Sequence, residues 1–286
     1  MAEPQGNREH KDRLFLKVFE DKEALLSLYN AVNGSDYENP EELEITTLDN
    51  VLYMRMKNDL SFLIDGSLNF YEHQSTFNPN MPLRGCFYMV KVYQEYVERR
   101  QLDIYSSTRL TLPTPRFIVF YNGTDRMKHT PELTLKLSDS FEKQEEEPAL
   151  ECKARVININ YGFNTEIMEK CPKLYEYSFL ISKIREETSQ GKKLEAAIGA
   201  AIDICVEEGI LTDLLTSYRM EVIGMLLTEY DEERHLKNTY EEGVKKGQKK
   251  GESIGEFRQL YKLIQKNFLT LHDAASANSM TEEQLM

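Results

Sequence analysis

The sequence predicts an α/β or α+β domain followed by a helical region, and three observations support this. Segments of helical and strand periodicity follow each other in the order helix, strand, strand, strand, helix, strand. Residues 116–121, RFIVFY, are almost continuously apolar, which is typical of a buried strand. From residue 164 onward the pattern becomes that of amphipathic helices. With 41% hydrophobic and 10% aromatic residues, the chain has enough apolar side chains to form a core.

The first predicted helix covers residues 11–32, where apolar side chains recur at helical spacing until Asn33-Gly34 ends the pattern. We interpret its acids Asp12 and Glu23 first as a helix-start residue and a solvated surface residue. The other elements predicted before residue 164 are strands at 43–48, 51–64, 67–74, 116–121, 133–137 and 150–159 and a helix at 83–104.

The chain is predicted to contain a core over residues 1–163, a helical subdomain over 164–230 and a charged arm with C-terminal helices over 231–286. The subdomain should contain three helices, at 173–187, 192–207 and 210–230. They are interpreted as a cover for the core or as a dimer surface.

The arm carries a glycine at every fourth position, with lysine pairs in between. Each glycine costs a helix about 1 kcal/mol relative to alanine, so the arm is predicted to be loosely structured on its own. A solvated linker, a phosphate-contacting arm and a self-association strip remain open as its roles. The glycines are Gly243, Gly247, Gly251 and Gly255.

Composition excludes several classes of protein. No run approaches the ~20 apolar residues of a membrane span, and residues 1–12 contain no apolar leader, so a cytoplasmic protein without a membrane partner is expected. The formal net charge of −13 argues against a general nucleic-acid binder but leaves room for a small basic cleft. The four cysteines show no CxxC spacing and are predicted to be buried free thiols; they are Cys86, Cys152, Cys171 and Cys205.

The most informative stretch is residues 57–75, which predicts a β-hairpin. Asp65-Gly66 joins two apolar-rich runs, and a type I′ turn of two residues would place Ile64 opposite Ser67. Counting back, Asp59 then lies opposite Glu72, with Cβ atoms roughly 5 Å apart, and Lys57 lies opposite Gln74. Two carboxylates facing each other are destabilising unless something compensates, and Mg²⁺ is the simplest candidate because it takes carboxylate oxygens as ligands.

This stretch resembles the signature of the PD-(D/E)XK nuclease superfamily, because Asp59 is followed by a hairpin and then by Glu72-His73-Gln74. The resemblance is to the Rpn branch in particular, the recombination-promoting nucleases and putative transposases. Three further stretches are similar to the same branch: DRLFLKVF at 12–19, NPNMPLRGCFY at 78–88 and PRFIVFYNG at 115–123. The resemblance covers about residues 10–165. It implies a restriction-endonuclease-like core, a mixed sheet flanked by helices, and a Mg²⁺- or Mn²⁺-dependent enzyme that cuts DNA.

The resemblance also implies residue roles. Asp59, Glu72 and the backbone carbonyl of His73 would hold the metal, and the first helix sometimes lends a further carboxylate, for which Asp12 and Glu23 are the candidates. Gln74 stands where the general pattern has lysine and can hydrogen-bond a water without adding charge.

Two basic residues complete the candidate site. In the hairpin register Lys57 lies across from Gln74, where it is interpreted either as a substitute for the missing lysine or as a strand-edge charge. Arg84, in the first turn of the following helix, is expected to contact a DNA phosphate or Glu72, or to lie on the surface.

Three classes of function remain open. The first is a metal-dependent DNA endonuclease, which in the family acts in recombination, mobile elements or genome defence, acting alone or as a homodimer. The second is a catalytically weak descendant that binds nucleic acid or protein, which Gln74 and the acidic charge favour. The third is an unrelated interaction protein. The sequence contains no Walker-type glycine loop, nucleophile elbow or HExxH motif.

Overall fold

A computed structural model describes residues 14–46, 59–266, 268 and 270–277. The chain divides into two compact units, Met1–Tyr230 and Asp231–Met286. The described part of the first unit contains one mixed sheet with helices packed on both faces, as the α/β prediction required. The candidate site lies entirely in this unit.

The six strands of the described residues form a sheet in the order β1-β2-β3-β4-β6-β5. The first three strands pair antiparallel, β3, β4 and β6 run parallel, and β5 is antiparallel to β6. Their bounds are β1 (Glu44–Ile45), β2 (Leu60–Ile64), β3 (Ser67–Gln74), β4 (Thr114–Tyr121), β5 (Glu132–Lys136) and β6 (Lys153–Asn158). A parallel pair needs a crossover connection, and the helix between β3 and β4 provides it.

The helices follow the predicted order, with short 3₁₀ turns at Pro40–Glu42 and Leu137–Ser140. They are α1 (Leu14–Val18), α2 (Lys22–Asn33), α3 (Met81–Arg99), α4 (Thr165–Lys170), α5 (Pro172–Ser189), α6 (Leu194–Glu207), α7 (Thr212–Ser217), α8 (Arg219–Gln265) and α9 (Leu271–Ala277).

The sheet has an apolar cluster on each face because side chains alternate along a strand. On one face Tyr71 and Phe120 pack against the N-terminal helices and α5. On the other face Phe70, Phe117 and Val119 pack against α3. This two-sided burial explains the nearly continuous apolar run in β4.

The single helix predicted for residues 11–32 is wrong, because the chain forms two helices there. Asp21 has extended backbone angles, and its carboxylate accepts hydrogen bonds from the amides of Glu23 and Ala24, which makes it the N-cap of α2. Phe19 remains buried across the break, which is why helical periodicity continues through it in the sequence.

The helix predicted for residues 83–104 begins earlier and ends earlier than expected. Pro82 lies in the first turn of α3, where its missing N–H costs nothing, so the helix includes this proline. The helix ends at Arg99, and Gln101 takes a left-handed conformation with φ 50°. Residues 51–58 of the predicted second strand lie outside the described residues.

The arm predicted to be loosely structured is helical instead. α8 runs through all four glycines of the repeat and ends at Gln265. The residues between the glycines are mainly lysine, glutamate and glutamine, which are good helix formers and offset part of the cost of glycine. The predicted helix at 210–230 is also divided, into α7 and the start of α8.

Candidate active site at the open end of the hairpin

The hairpin turn has the predicted conformation. Asp65 and Gly66 have φ values of 45° and 66°, as a type I′ turn requires at both central positions. The hydroxyl of Tyr37 donates to the Asp65 carboxylate at 2.5 Å, which anchors the turn to the segment after α2. Pairing runs from Ile64 with Ser67 to Leu60 with Tyr71, so the predicted register is confirmed.

The same register carried one residue further places Asp59 beside Glu72, and two hydrogen bonds connect Asp59 to β3, one to Glu72 and one to His73. The amide of Asp59 donates to Glu72 Oε1 at 3.1 Å. The amide of His73 donates to Asp59 Oδ2 at 2.8 Å. Each carboxylate therefore accepts from an amide on the opposite strand, which compensates part of the repulsion between the two acids.

Arg84 supplies further compensation. Glu72 is only 1% exposed, and its Oε2 lies 3.0 Å from Nη2 of Arg84. Of the alternatives left open for Arg84, the contact with Glu72 is the one that the structure shows. Burial lowers the pKa of the Arg84 guanidinium, but the Glu72 carboxylate and Tyr88 raise it by more, so the net shift in pKa is upward. Arg84 therefore keeps its positive charge beside Glu72.

Tyr88 belongs to the same cluster and was not singled out from the sequence. Its hydroxyl accepts hydrogen bonds from Arg84 Nη2 at 2.7 Å and from Nε at 3.2 Å. Burial raises the pKa of Tyr88 to about 12, and the Glu72 carboxylate adds to this shift. The spacing of four residues between Arg84 and Tyr88 on one helix was the signal that could have paired them.

Gln74 lies two residues beyond Glu72 on β3 and therefore on the same face of the sheet. Its amide nitrogen contacts the sulfur of Met81, which Arg84 Nη1 also contacts. Gln74 is thus held next to the Arg84 cluster by the first turn of α3. Lys57 lies outside the described residues, so its predicted position across from Gln74 stays a prediction.

The His73 side chain points to the face of the sheet opposite to Glu72, because side chains alternate along a strand. Its ring stacks on Phe15 with 4.8 Å between centroids. Its Nε2 lies 2.9 Å from the hydroxyl of Tyr177, which also accepts a hydrogen bond from the Asn122 side-chain amide. The imidazole is therefore a packed core group and does not join the carboxylates.

The backbone carbonyl of His73 is oriented differently from its side chain. The carbonyl of Gln74 accepts from the amide of Asn122, so it points toward β4. Carbonyl groups alternate in direction along a strand, which directs the His73 carbonyl toward β2 and Asp59. This is the position that the resemblance assigns to the third metal ligand.

The oxygen atoms at this end of the hairpin are of the type that binds divalent cations. Asp59 and Glu72 offer hard carboxylate oxygens, and the His73 carbonyl adds a third oxygen at the same end of the hairpin. Among the described residues, however, no three side chains of His, Cys, Asp or Glu come together. Competition from Arg84 for Glu72 is the feature of the site that least suits a metal.

Among the described residues, no acid of the predicted first helix joins Asp59 and Glu72. Glu23 lies in the first turn of α2 and lines a cleft with Asp36 and Glu38, away from Asp59 and Glu72. The alternative interpretation of Glu23 as a helix-surface residue agrees with this position. Asp12 lies outside the described residues.

The four cysteines are free thiols, as predicted, and three of them are buried while Cys86 is half-buried. Within the described part of the chain, no helix combines the length and the apolar character needed to cross a bilayer.

Comparison with known proteins returns no similar protein. The chain matches no family model, no curated protein and no solved structure. Assignment of a function therefore depends on the geometry of the site itself.

Proposed function

We propose that this chain is a metal-dependent deoxyribonuclease of the PD-(D/E)XK type, related to the Rpn branch, that hydrolyses phosphodiester bonds in DNA. One observation carries the proposal. Glu72 lies on β3 and Asp59 immediately precedes β2, so the two acids meet at the open end of a two-residue hairpin, where each carboxylate accepts a hydrogen bond from the backbone of the opposite segment.

The surrounding architecture supports the same proposal. The helices α1 and α2 precede three antiparallel strands, and the crossover helix α3 leads to the parallel strand β4. Apart from the division of the first helix, this is the order of elements that the resemblance implies. Glu72 sits on β3 and Asp59 directly precedes β2, and α3 brings Arg84 to Glu72.

In the proposed reaction the chain binds a divalent cation and positions the attacking water. Bound Mg²⁺ or Mn²⁺ would lower the pKa of a water and neutralise charge that develops on the phosphate. Asp59, Glu72 and the His73 carbonyl would hold the ion, and Gln74 would hydrogen-bond the water. Lys57, if it lies across from Gln74 as predicted, would add the positive charge that the motif lysine normally supplies.

Arg84 has two roles in this proposal. With Glu72 it neutralises a buried carboxylate before a cation arrives. If Glu72 ligated a cation, the Arg84 guanidinium would be available to bind a DNA phosphate, since its planar donors suit a phosphate well. Recombination, mobile elements or genome defence in the cytoplasm would be the setting for such an enzyme.

A second function is favoured by the same ion pair. Arg84 engages Oε2 of Glu72 while the Asp59 amide engages Oε1, so both oxygens already have partners. Gln74 in place of lysine also removes a charge from the site. A catalytically weak descendant that binds nucleic acid or protein through this fold is the alternative.

Cleavage of supercoiled plasmid tests the proposal. The purified full chain should nick or linearise plasmid with Mg²⁺ or Mn²⁺ and should be inactive with EDTA. Asp59→Asn and Glu72→Gln should each lower the rate at least ~10²-fold, because each removes a ligand charge. Glu98→Gln is the matched control, since Glu98 is an exposed acid at the other end of α3.

Equal rates for the parent chain and both acid variants would overturn the catalytic assignment. DNA binding in EDTA, measured by fluorescence anisotropy, separates the two functions when no cleavage occurs. Binding without metal-dependent cleavage would support the catalytically weak descendant.

A further inference from the structure

A second cavity lies away from the carboxylate pair, between the loop after β6 and the helices α4 and α5. Its volume is about 420 Å³, within the range of small-ligand pockets. Tyr161, Phe163, Met168 and Tyr175 form much of its wall, so the lining is mainly aromatic and apolar. None of the residues of the proposed nuclease site lines it.

Two tyrosines at this cavity remain exposed although they belong to an aromatic cluster. Tyr161 is 48% exposed and Tyr175 is 39% exposed. Their ring centroids lie 5.8 Å apart at 53°, and Phe179 packs against both, at 5.6 Å and 6.3 Å. The cluster is held together by its own contacts, so it presents ring surface to the cavity with little loss of side-chain freedom on binding.

A buried hydroxyl is the second, independent observation. Ser178 lines the cavity and is only 3% exposed. Its Oγ makes no hydrogen bond with any residue in the described part of the chain. Buried hydroxyls normally have partners. The Ser178 oxygen is itself buried, so the hydroxyl has to turn toward the cavity to meet a ligand atom, and that bond would satisfy a group that the described residues leave unsatisfied.

Polar groups at the rim of the cavity indicate which hydrogen-bonding groups the ligand should carry. The hydroxyls of Tyr161 and Tyr175 lie 3.5 Å apart, and Glu169 adds an exposed carboxylate to the lining. A carboxylate accepts hydrogen bonds from amino groups, whereas a serine hydroxyl donates and accepts. A purely apolar ring would leave all of these groups unused. A flat ring with ring nitrogens and an exocyclic amino group would use them.

We infer that this cavity binds a nucleobase that carries an exocyclic amino group. The base stacks on the exposed tyrosine rings and hydrogen-bonds Ser178 and Glu169. Stacking of bases on aromatic side chains is a common mode of binding single strands. The same chemistry would be supplied by a free nucleoside or by an unpaired base of a strand. The site requires no metal and no cleavage, so it stands apart from the proposed nuclease function.

The test uses 2-aminopurine, a fluorescent base with an exocyclic amino group whose emission falls when it stacks. The full chain is titrated in EDTA into 2-aminopurine riboside and, in a second arm, into a short single-stranded oligonucleotide with one 2-aminopurine. Because the chain contains no tryptophan, the probe emission is free of overlap from that residue. Saturable quenching is expected in at least one arm. Tighter binding of the oligonucleotide identifies a strand as the source of the base, and equal binding identifies the free nucleoside.

Variants connect the signal to the cavity. Tyr161→Ala and Tyr175→Ala should each weaken binding about 10-fold, which is within the range for loss of one stacking partner. Ser178→Ala should weaken it about 5-fold, as expected for one hydrogen bond. Tyr175→Phe keeps the ring and should change binding little. Tyr105→Ala is the control, because Tyr105 is 92% exposed and does not line the cavity.

Absence of saturable quenching in both arms would overturn the inference, and so would unchanged affinity in the Tyr161→Ala/Tyr175→Ala double variant. Asp59→Asn should bind the probe like the parent chain. Its result therefore separates failure of this inference from failure of the proposed nuclease activity.

Discussion

At the scale of single residues, the central feature of the candidate site is the ion pair between Arg84 and Glu72. Glu72 is almost completely buried, and a buried carboxylate is tolerated only when it is paired and hydrogen-bonded. Arg84 provides the pairing charge, and Tyr88 holds the guanidinium in place through two hydrogen bonds. The pair therefore contributes to folding, and under the proposed function it would compete with the metal for Glu72.

Removal of the guanidinium alone should destabilise the fold. Arg84→Met removes the ion pair with the buried carboxylate of Glu72, and we expect a loss of about 3 kcal/mol in unfolding free energy. Adding Glu72→Gln to Arg84→Met should restore about half of that loss, because the charge is gone. Urea denaturation of the two single variants and the double variant measures the coupling. Strictly additive effects would show that the ion pair contributes nothing to stability.

At the scale of elements, the close approach of α3 to β4 positions Arg84. Gly85 follows Arg84, and a Cβ atom at Gly85 would overlap the ring of Phe117 on β4. Only glycine lets the first turns of α3 lie this close to the sheet. The turn that carries Arg84 is consequently held at the distance from which the guanidinium reaches Glu72.

Gly85→Ala should therefore destabilise the protein by about 1–3 kcal/mol, the usual cost of overpacking, and should lower any cleavage activity by displacing Arg84. Gly199→Ala is the matched control. Gly199 is also in a helix, but a Cβ atom there meets nothing within 4 Å, so alanine should stabilise by about 0.5–1 kcal/mol. Thermal and urea unfolding of the two variants measure the difference, and equal changes in stability would contradict the packing argument.

The hairpin could be predicted from the sequence because its turn and register are set locally. Asp65-Gly66 fixes the turn, and counting back from it gives every pair up to Leu60 with Tyr71. The division of the first helix could not be predicted from periodicity. It depends on Asp21 acting as a cap while Phe19 stays buried by tertiary packing.

At the scale of the whole molecule, the features that could not be predicted from the sequence are side-chain contacts between segments far apart in the chain. Tyr177 reaches His73 across 104 positions, and Arg185 reaches Asn160 across 25. Such pairs depend on how helices dock on the sheet, which neither spacing nor composition encodes. Burial of both faces of the sheet could be predicted. Successive side chains of a strand point to opposite faces, so a continuously apolar strand needs packing partners on each face.

The net charge of −13 is also a property of the whole molecule, and it bears on DNA binding. An acidic body repels phosphate, so any cleft that binds DNA must rely on a few local cations, and its affinity should decline as salt screens them. Arg84 is one such cation in the described part of the site.

Binding of Mn²⁺, followed by electron paramagnetic resonance of the free ion, tests the central claim most directly. The claim is that Asp59 and Glu72 together hold a divalent cation, and we expect one Mn²⁺ bound per parent chain. Asp59→Asn and Glu72→Gln should each weaken that binding at least ~10-fold, because each removes a ligand charge, whereas Glu98→Gln should bind like the parent. A parent chain that binds no Mn²⁺, or acid variants that bind it as tightly as the parent, would contradict the account.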